Sequence, residues 1–328
     1  MGGAVSLASA FPFSVVIPVF NRAQLIGECL ARFKVPAAAG LEVIVVDDGS
    51  TDATPDILGK AAALPGGATI KIITQRNAGP GPARNAGVAH STTPWVVFHD
   101  SDDIWFPWTI EVLRAVLQSP AAEAAEVVFL QAQRFTDTEE LSQVSVKPTR
   151  FVHFPSMLDF RLRARLQTTG AGSSAFRRDS FLKLGGFTDL VFAGEDTDLF
   201  FRAGLLPTAA VVAPVLMGYR KGLQDSLSDM SKTNQLFVLK RNRQGVYPGP
   251  SKKRTAALAL YVCTFVRRHF SQGKPSQAYR LYFAGLATLM SAGHWGDAIR
   301  LPLYPLLRKL QRHPKRRETR RLEVATPD

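Results

Sequence analysis

The sequence predicts an α/β fold, with a mainly parallel sheet flanked by helices and a wholly helical C-terminal region after it. Three observations predict it. Short β-branched apolar runs alternate with stretches of helical spacing between Phe13 and Phe98. Each of the first four runs ends in polar residues, and beyond Lys240 the strand pattern gives way to apolar residues at helical intervals.

Taken in order, FSVVIPVF (Phe13–Phe20) is strand-length, and Asn21-Arg22 turns it into a helix marked by Leu25, Ile26, Cys29, Leu30 and Phe33. LEVIVVDD (Leu41–Asp48) is the second strand; a Gly-Ser-Thr-Asp turn follows, and Ser50, Thr51 or Asp52 can cap a helix over about residues 52–64. Thr69–Thr74 is the third strand. A Gly/Pro-rich turn (Asn77–Pro82) and a short helix through Ala83–His90 precede the fourth, Trp95–Phe98, which runs into HDSDD. Strands joined by helices in this rhythm are βαβ units, which need a parallel sheet covered on both faces.

A fifth strand is expected at Glu126–Ala132, inside the less regular stretch 120–165. Asp179 as cap and Gly185-Gly186 as stop delimit a short helix, and the carboxylates of Gly194-Glu195-Asp196-Thr197-Asp198 open another. Helices follow near 253–270, 276–291 and 297–310. GKPSQAYRL (Gly273–Leu281) and GHWGDAIRL (Gly293–Leu301) share Gly, Ala, Arg and Leu at an offset of 20 residues, which suggests two similar helices.

With 46% apolar and 20% charged residues in 328, and a mean hydropathy of +0.01, the chain is neither disordered nor a multi-span membrane protein. The longest spanning candidate, Ala256–Val266, is too short for a bilayer. Met1–Pro12 does not read as a secretory signal, although Gly2 and Ser6 match a loose myristoylation pattern. Cys29 and Cys263 sit in apolar helical patterns, and two thiols make no disulfide scaffold, so a reducing, cytoplasmic setting is expected. The net charge of +13 is unevenly placed. Residues 1–239 hold 21 Lys/Arg against 23 Asp/Glu, whereas 240–328 hold 19 against 4. Eight of those cations fall in 308–321, a density that attracts anionic lipid at a membrane face.

Two constellations carry chemistry. Asp100-Ser101-Asp102 stands where WVVFH ends, and carboxylates packed this closely repel unless a cation sits between them. A hard divalent ion takes such oxygen ligands and keeps positions open for phosphate. The second, Glu195-Asp196 at a helix start, either complements the helix dipole or leaves one carboxylate free to accept a proton from an attacking hydroxyl.

The succession VVIPVFNR, EVIVVDDGSTD, NAGPGPARNAG, VVFHDSDDIW, SSAFRRDSFLKLGGF and GEDTDLFFR resembles, in order and spacing, the family-2 nucleotide-sugar glycosyltransferases of the GT-A (Rossmann-like) fold, over roughly residues 13–220. The resemblance implies an inverting sugar transfer from a nucleoside diphosphate donor, most often a UDP-sugar, to a hydroxyl acceptor, with Mn²⁺ or Mg²⁺ on the diphosphate. It implies a catalytic domain over 1–232 (nucleotide-sugar side about 13–118, acceptor side about 119–232), ahead of a helical region over 233–310 and a basic tail over 311–328. On this chain it would place Pro18, Phe20, Asn21, Arg22 and Asn77 around the nucleotide, and Asp48 on the base or ribose. Arg84 would lie beside the nucleotide. Asp100 would face the ribose or sugar and share the metal with Asp102, for which Asp103 could substitute. Asp196 would be the general base, with Glu195 orienting it or holding the acceptor. Many relatives carry a histidine shortly after an aromatic-Arg pair; here Tyr219-Arg220-Lys221-Gly222 is followed by LQDSLS, so Arg220 or Lys221 would supply positive charge to the leaving group instead.

The implied setting is cell-envelope polysaccharide, lipid-linked glycan or glycoconjugate synthesis, with a carbohydrate or lipid-linked acceptor and an enzyme peripheral at the cytoplasmic membrane face. Three other readings compete. A dinucleotide-dependent oxidoreductase shares the sheet pattern but lacks Gly-x-Gly-x-x-Gly after the first strand, where Pro18–Arg22 stands. A nucleic-acid binder uses the basic region but leaves the carboxylate clusters unexplained, so no nucleic acid is expected. A donor-binding pseudoenzyme is the third.

Overall fold

The computed structural model of the chain describes residues 11–63, 65–164, 170–189, 194–222 and 235–305. Gly2 and Ser6 and the basic tail, with its cluster at 308–321, lie outside the described residues.

β1 (Phe13–Val19), α1 (Ile26–Ala31), β2 (Glu42–Asp47), α2 (Thr54–Ala63), β3 (Thr69–Thr74), α3 (Pro80–His90) and β4 (Trp95–Phe98) follow the expected order. The irregular middle holds β5 (Ile104–Trp105), α4 (Thr109–Leu117), α5 (Pro120–Glu123), β6 (Val127–Leu130), β7 (Ala132–Phe135) and β8 (Arg150–Phe154). Then come α6 (Met157–Arg163), β9 (Ser174–Arg177), α7 (Arg178–Lys183), α8 (Glu195–Arg202), β10 (Thr208–Ala213) and β11 (Met217–Arg220). The chain closes with α9 (Gln235–Arg243), α10 (Ser251–Ser271), α11 (Pro275–Ser291) and α12 (Trp295–Arg300).

The larger sheet has the order β3-β2-β1-β4-β9-β6-β10-β8. β3, β2, β1 and β4 are parallel, as are β6 and β10. The run of buried apolar residues on β1 and β2, with Val15, Val16, Ile17, Val43, Ile44 and Val45 all at 0% exposure, is what a parallel sheet covered on both faces requires. β3 is the edge, and its half-exposed TIKIIT carries Lys71 outward, which discourages further pairing. β9 enters antiparallel between β4 and β6, and β8 closes the far edge antiparallel to β10. A small second sheet, β5-β11-β7, pairs Met217 and Gly218 with Trp105 and Ile104.

Two compact units result. The first carries all the described strands with α1–α5 and α7; its core gathers Phe33, Trp95, Trp105, Leu113 and Met217. The second carries α6 and α9–α12, together with two segments from inside the expected 1–232 span, Pro155–Arg165 and Phe200–Leu205. Their side chains explain the assignment. Leu158 and Phe201 are buried among Val238, Tyr247, Leu258, Tyr261 and Val262, and Lys253 Nζ reaches Asp159 Oδ1 at 2.8 Å. Gly285 lets α11 lie against α10, since a Cβ there would sit 2.7 Å from a Val262 methyl. The helix expected at 297–310 begins two residues earlier as α12. No helix among the described residues is long and apolar enough to cross a membrane.

Candidate active site

Because β1–β4 are parallel, the polar residues that end them meet at one edge of the sheet, where ligands bind in doubly wound folds. Asn21 follows β1 with φ of 49°, the one non-glycine at positive φ among the described residues, and Asn tolerates that region better than most residues. The strain is held by the neighbouring turn: Asn21 N donates to Ser50 Oγ at 3.0 Å and Thr51 N to Asn21 Oδ1 at 2.8 Å. Arg22 N donates to Thr54 Oγ1 at 2.9 Å, so the loops after β1 and β2 form one surface. Asp48 is spent on that scaffold. Its oxygens accept Gln75 Nε2 at 2.8 Å, Ala78 N at 2.9 Å and Gly79 N at 2.8 Å, fixing the loop that leads into α3.

Arg84 joins the two carboxylate constellations. Projecting from α3, it is buried and donates through Nη2 to Asp100 Oδ1 at 2.7 Å and through Nη1 to Glu195 Oε1 at 3.2 Å. The guanidinium fork suits a pair of carboxylates approached from two directions, as a lysine would not. Glu195 also accepts Gly194 N at 2.9 Å. Burial, then the adjacent Asp196, push the Glu195 carboxyl above its ordinary range, with Arg84 opposing. Asp196 accepts Thr197 N at 2.6 Å through Oδ1, while its Oδ2 lies against Gly170. Two positions on, Gly172 lies against the Asp100 carboxylate. A Cβ at either glycine would overlap the carboxylate it faces, so the turn Gly170–Ser173 seats both acids at once.

Below them, burial followed by the charge of Asp100 raises the Asp102 carboxyl, with Arg22 and Arg220 opposing; Arg22 Nε is 3.7 Å from Asp102 Oδ2. Asp103 is raised much further by burial and then by Asp100 and Asp102. It accepts Arg220 N at 3.0 Å through Oδ1, and its buried Oδ2 has no hydrogen-bond partner. Three carboxyl groups are thus crowded beside Arg22 and Arg220, one of them with an unpartnered buried oxygen, and a hard divalent cation fits such an oxygen donor set. Asp102, with a side chain 21% exposed, faces outward, whereas Asp103 is sealed beneath it. His99, burial-shifted down to about 4, is neutral at pH 7 and packs as a ring between Phe33 and Trp105.

Of the two cations expected on the leaving-group side, Arg220 reaches this cluster and is already engaged. Arg220 Nε donates to the Asp102 carbonyl at 3.0 Å, Nη2 pairs with Glu28 at 2.8 Å, and its guanidinium lies over Phe135. Lys221 Nζ sits 4.2 Å from the Tyr219 ring centroid. Pro18 is buried within β1, Phe20 is exposed beside it, and Asn77 is exposed on the loop after β3. Sequence reasoning missed four residues that build the site: Gly170, Gly172, Glu28 and Asn85. Asn85, inside the ARNAG block, clamps the chain after Gly185-Gly186, donating to Phe187 O and accepting Phe187 N, both at 2.8 Å. The two glycines spaced i, i+2 in a Gly/Ser-rich stretch were the available signal.

Residues 14–185 match the family model described as glycosyl transferase family 2. The succinoglycan biosynthesis protein ExoO of Rhizobium meliloti (strain 1021) is 35% identical over 112 residues, 34% of this chain and 30% of that protein. The chain spans between 16% and 38% of the first curated relatives it matches. Among solved structures, S. aureus TarS 1–349 in complex with UDP-GlcNAc superposes with a TM-score of 0.62 at 19% identity, over 92% of this chain and 93% of that one. The mannosyltransferase PcManGT of Pyrobaculum calidifontis, in complex with GDP-Man and Mn²⁺, superposes at 0.54 with 20% identity, over 92% and 84%. These likenesses establish the GT-A fold, and the match over residues 14–185 establishes that the chain belongs to glycosyl transferase family 2.

Proposed function

We propose that this protein transfers a sugar from a nucleoside diphosphate donor, a UDP-sugar, to a hydroxyl acceptor with inversion at the anomeric carbon. The observation that carries the reading is the Arg84 bridge, which draws Asp100 and Glu195 onto one cation and so brings Asp196 to the turn that also seats Asp100. Asp196 accepts the acceptor's proton as the hydroxyl oxygen bonds to the anomeric carbon; the bond to the diphosphate breaks on the opposite face and its electron pair leaves with the phosphate. Pro18, Phe20, Asn21, Arg22 and Asn77 border the nucleotide. Asp48 shapes that wall through the 75–79 loop, and Arg84 acts beneath the site as the residue that positions the acids.

Asp102, with Asp100 beside it, would hold Mn²⁺ or Mg²⁺, which when bound offsets the charge of the diphosphate. Arg220 and Lys221 add positive field on the leaving-group side. The name of ExoO and the nucleotide sugars in the TarS and PcManGT complexes support donor class and a setting in polysaccharide or lipid-linked glycan synthesis. The 19 Lys/Arg against 4 Asp/Glu beyond residue 239 support a place at an anionic cytoplasmic membrane face, with a carbohydrate or lipid-linked acceptor.

Calorimetric titration of UDP-GlcNAc and UDP into wild type and Asp102→Ala, with and without Mn²⁺, tests the donor half. Mn²⁺ should strengthen binding to wild type by roughly tenfold or more and have little effect on the variant. Equal affinities in all four titrations would remove the metal and Asp102 from the reading. Gly172→Ala should push Asp100 off Arg84 and weaken Mn²⁺-dependent binding by about tenfold, the equivalent of one charge-assisted hydrogen bond. Unchanged binding by Gly172→Ala would show that the seat is dispensable.

A further inference from the structure

Exposed large apolar side chains are concentrated in the helical unit. Of the eleven among the described residues, seven lie between Leu260 and Leu303. Single exposed apolar residues are ordinary, whereas a contiguous set marks an interaction surface. Five of the seven, Tyr279, Phe283, Trp295, Ile299 and Leu303, lie where α11 meets α12 and the turn after it. On α11, Tyr279 and Phe283 are one turn apart with rings stacked at 6.5 Å; Tyr279 Oη donates to Pro302 O at 3.1 Å and Tyr282 Oη to Ala298 O at 2.7 Å. Those two bonds lay α11 along α12, so Phe283 and Ile299, the residues next to the bonded pair Tyr282 and Ala298, emerge together. They are 66% and 68% exposed, and Trp295, one turn before Ile299, is 57% exposed. Arg280 and Arg300 stand exposed at their margins.

We infer that the α11–α12 face, centred on Phe283, Trp295 and Ile299, is a docking surface for the interface of an anionic lipid bilayer. Aliphatic and aromatic residues rimmed by cations are the composition of helices that lie in the headgroup region, where Trp is at home and Lys/Arg reach the phosphates. In sequence the spacing 295, 299, 303 continues to Leu307 and Leu310, with Arg308 and Lys309 between them, and then through Arg312 into the cationic run that ends at Arg321. Apolar insertion and a polybasic stretch are the two signals that together hold a protein at a membrane, each alone being marginal.

Charge decides against the other occupants. A second copy docked symmetrically would set Arg280 and Arg300 against a face of the same sign, in a region with 19 Lys/Arg to 4 Asp/Glu. A nucleic acid gains from cations and stacking rings but nothing from Ile299, Leu303 or Met290. The inference deepens the membrane part of the proposed function and rests on it only for the purpose of the location.

The test uses the full chain with vesicles of phosphatidylcholine, alone or with about a third phosphatidylglycerol, read by co-sedimentation and by tryptophan emission. Trp95 and Trp105 are buried and Trp108 half-buried, so Trp295 is the described tryptophan that a bilayer can reach. Binding to the anionic vesicles should shift emission to the blue, and Trp295→Phe should abolish the shift. The double variant Phe283→Ser/Ile299→Ser should melt at the wild-type temperature and bind these vesicles roughly tenfold or more weakly. Three results would overturn the inference: wild-type affinity in the double variant, sedimentation without a Trp295 shift, or a wild-type dimer that the double variant dissociates. Charge reversal by Lys315→Glu/Arg316→Glu/Arg317→Glu should weaken anionic binding but spare the residual blue shift at saturating lipid. If only this variant loses binding, the tail alone is responsible and the face is not. Metal-dependent donor affinity is measured in parallel, so loss of the transferase reading and loss of the docking surface are separate results.

Discussion

Asp196→Asn should bind the donor as wild type does and transfer roughly 10²–10⁴-fold more slowly. Asp196 opens α8 and accepts Thr197 N at 2.6 Å, so a purely structural role as a cap is the competing explanation. Asn caps about as well as Asp, and on that explanation the change costs at most about 1 kcal/mol of stability with turnover intact. On the proposed mechanism Asn keeps the size and the bond from Thr197 but cannot accept the acceptor's proton. Paired calorimetry and transfer assays with a competent acceptor separate the two. A variant that binds donor and transfers at the wild-type rate would move the search to Glu195 or Asp198.

Arg84→Met is expected to be the most damaging single change to the site. Its guanidinium pairs with Asp100 at 2.7 Å and with Glu195 at 3.2 Å, and their side chains are only 24% and 10% exposed. Removing the cation leaves two poorly solvated carboxylates facing each other, a loss of about 3 kcal/mol or more, since stranding a buried charge costs far more than the pair contributes. The measurement is the denaturation midpoint with its slope. Adding Glu195→Gln should recover part of the loss, because the neutral amide no longer needs the arginine. Stability within about 1 kcal/mol of wild type in Arg84→Met would mean that water or another cation already serves the acids.

The first half of the sheet was legible because its determinants are local. FSVVIPVF, LEVIVVDD and WVVFHD are apolar runs of strand length ended by residues that favour turns, and β1, β2 and β4 lie within two residues of those limits. Of the later strands β6, Val127–Leu130, lies inside the expected Glu126–Ala132, whereas β8 and β9 were illegible for a physical reason. β8 is an edge strand, RFVHF, whose exposed Arg150 and His153 break any apolar run, and β9 is the four-residue SAFR, which becomes a strand only because β4 and β6 leave a gap between them. The boundary between units was likewise out of reach. Met157–Arg163 looks like any amphipathic segment, and it is the burial of Leu158 with Val238 and Leu258 that assigns it to the helices.

The sequence by itself determined the α/β class, the order of the first four strands, the acids at their ends and the concentration of cations beyond residue 239, since each depends on neighbouring residues and on composition. Tertiary structure alone decided how those acids are used. Asp48 turned inward to hold Ala78 and Gly79, Asp103 was sealed beneath Asp102, and Arg84 found one partner 16 residues away and another 111 away. A carboxylate's role is set by which donors and charges the packed chain brings within about 3–4 Å of it, and at those separations the spacing along the chain carries no information about the partner.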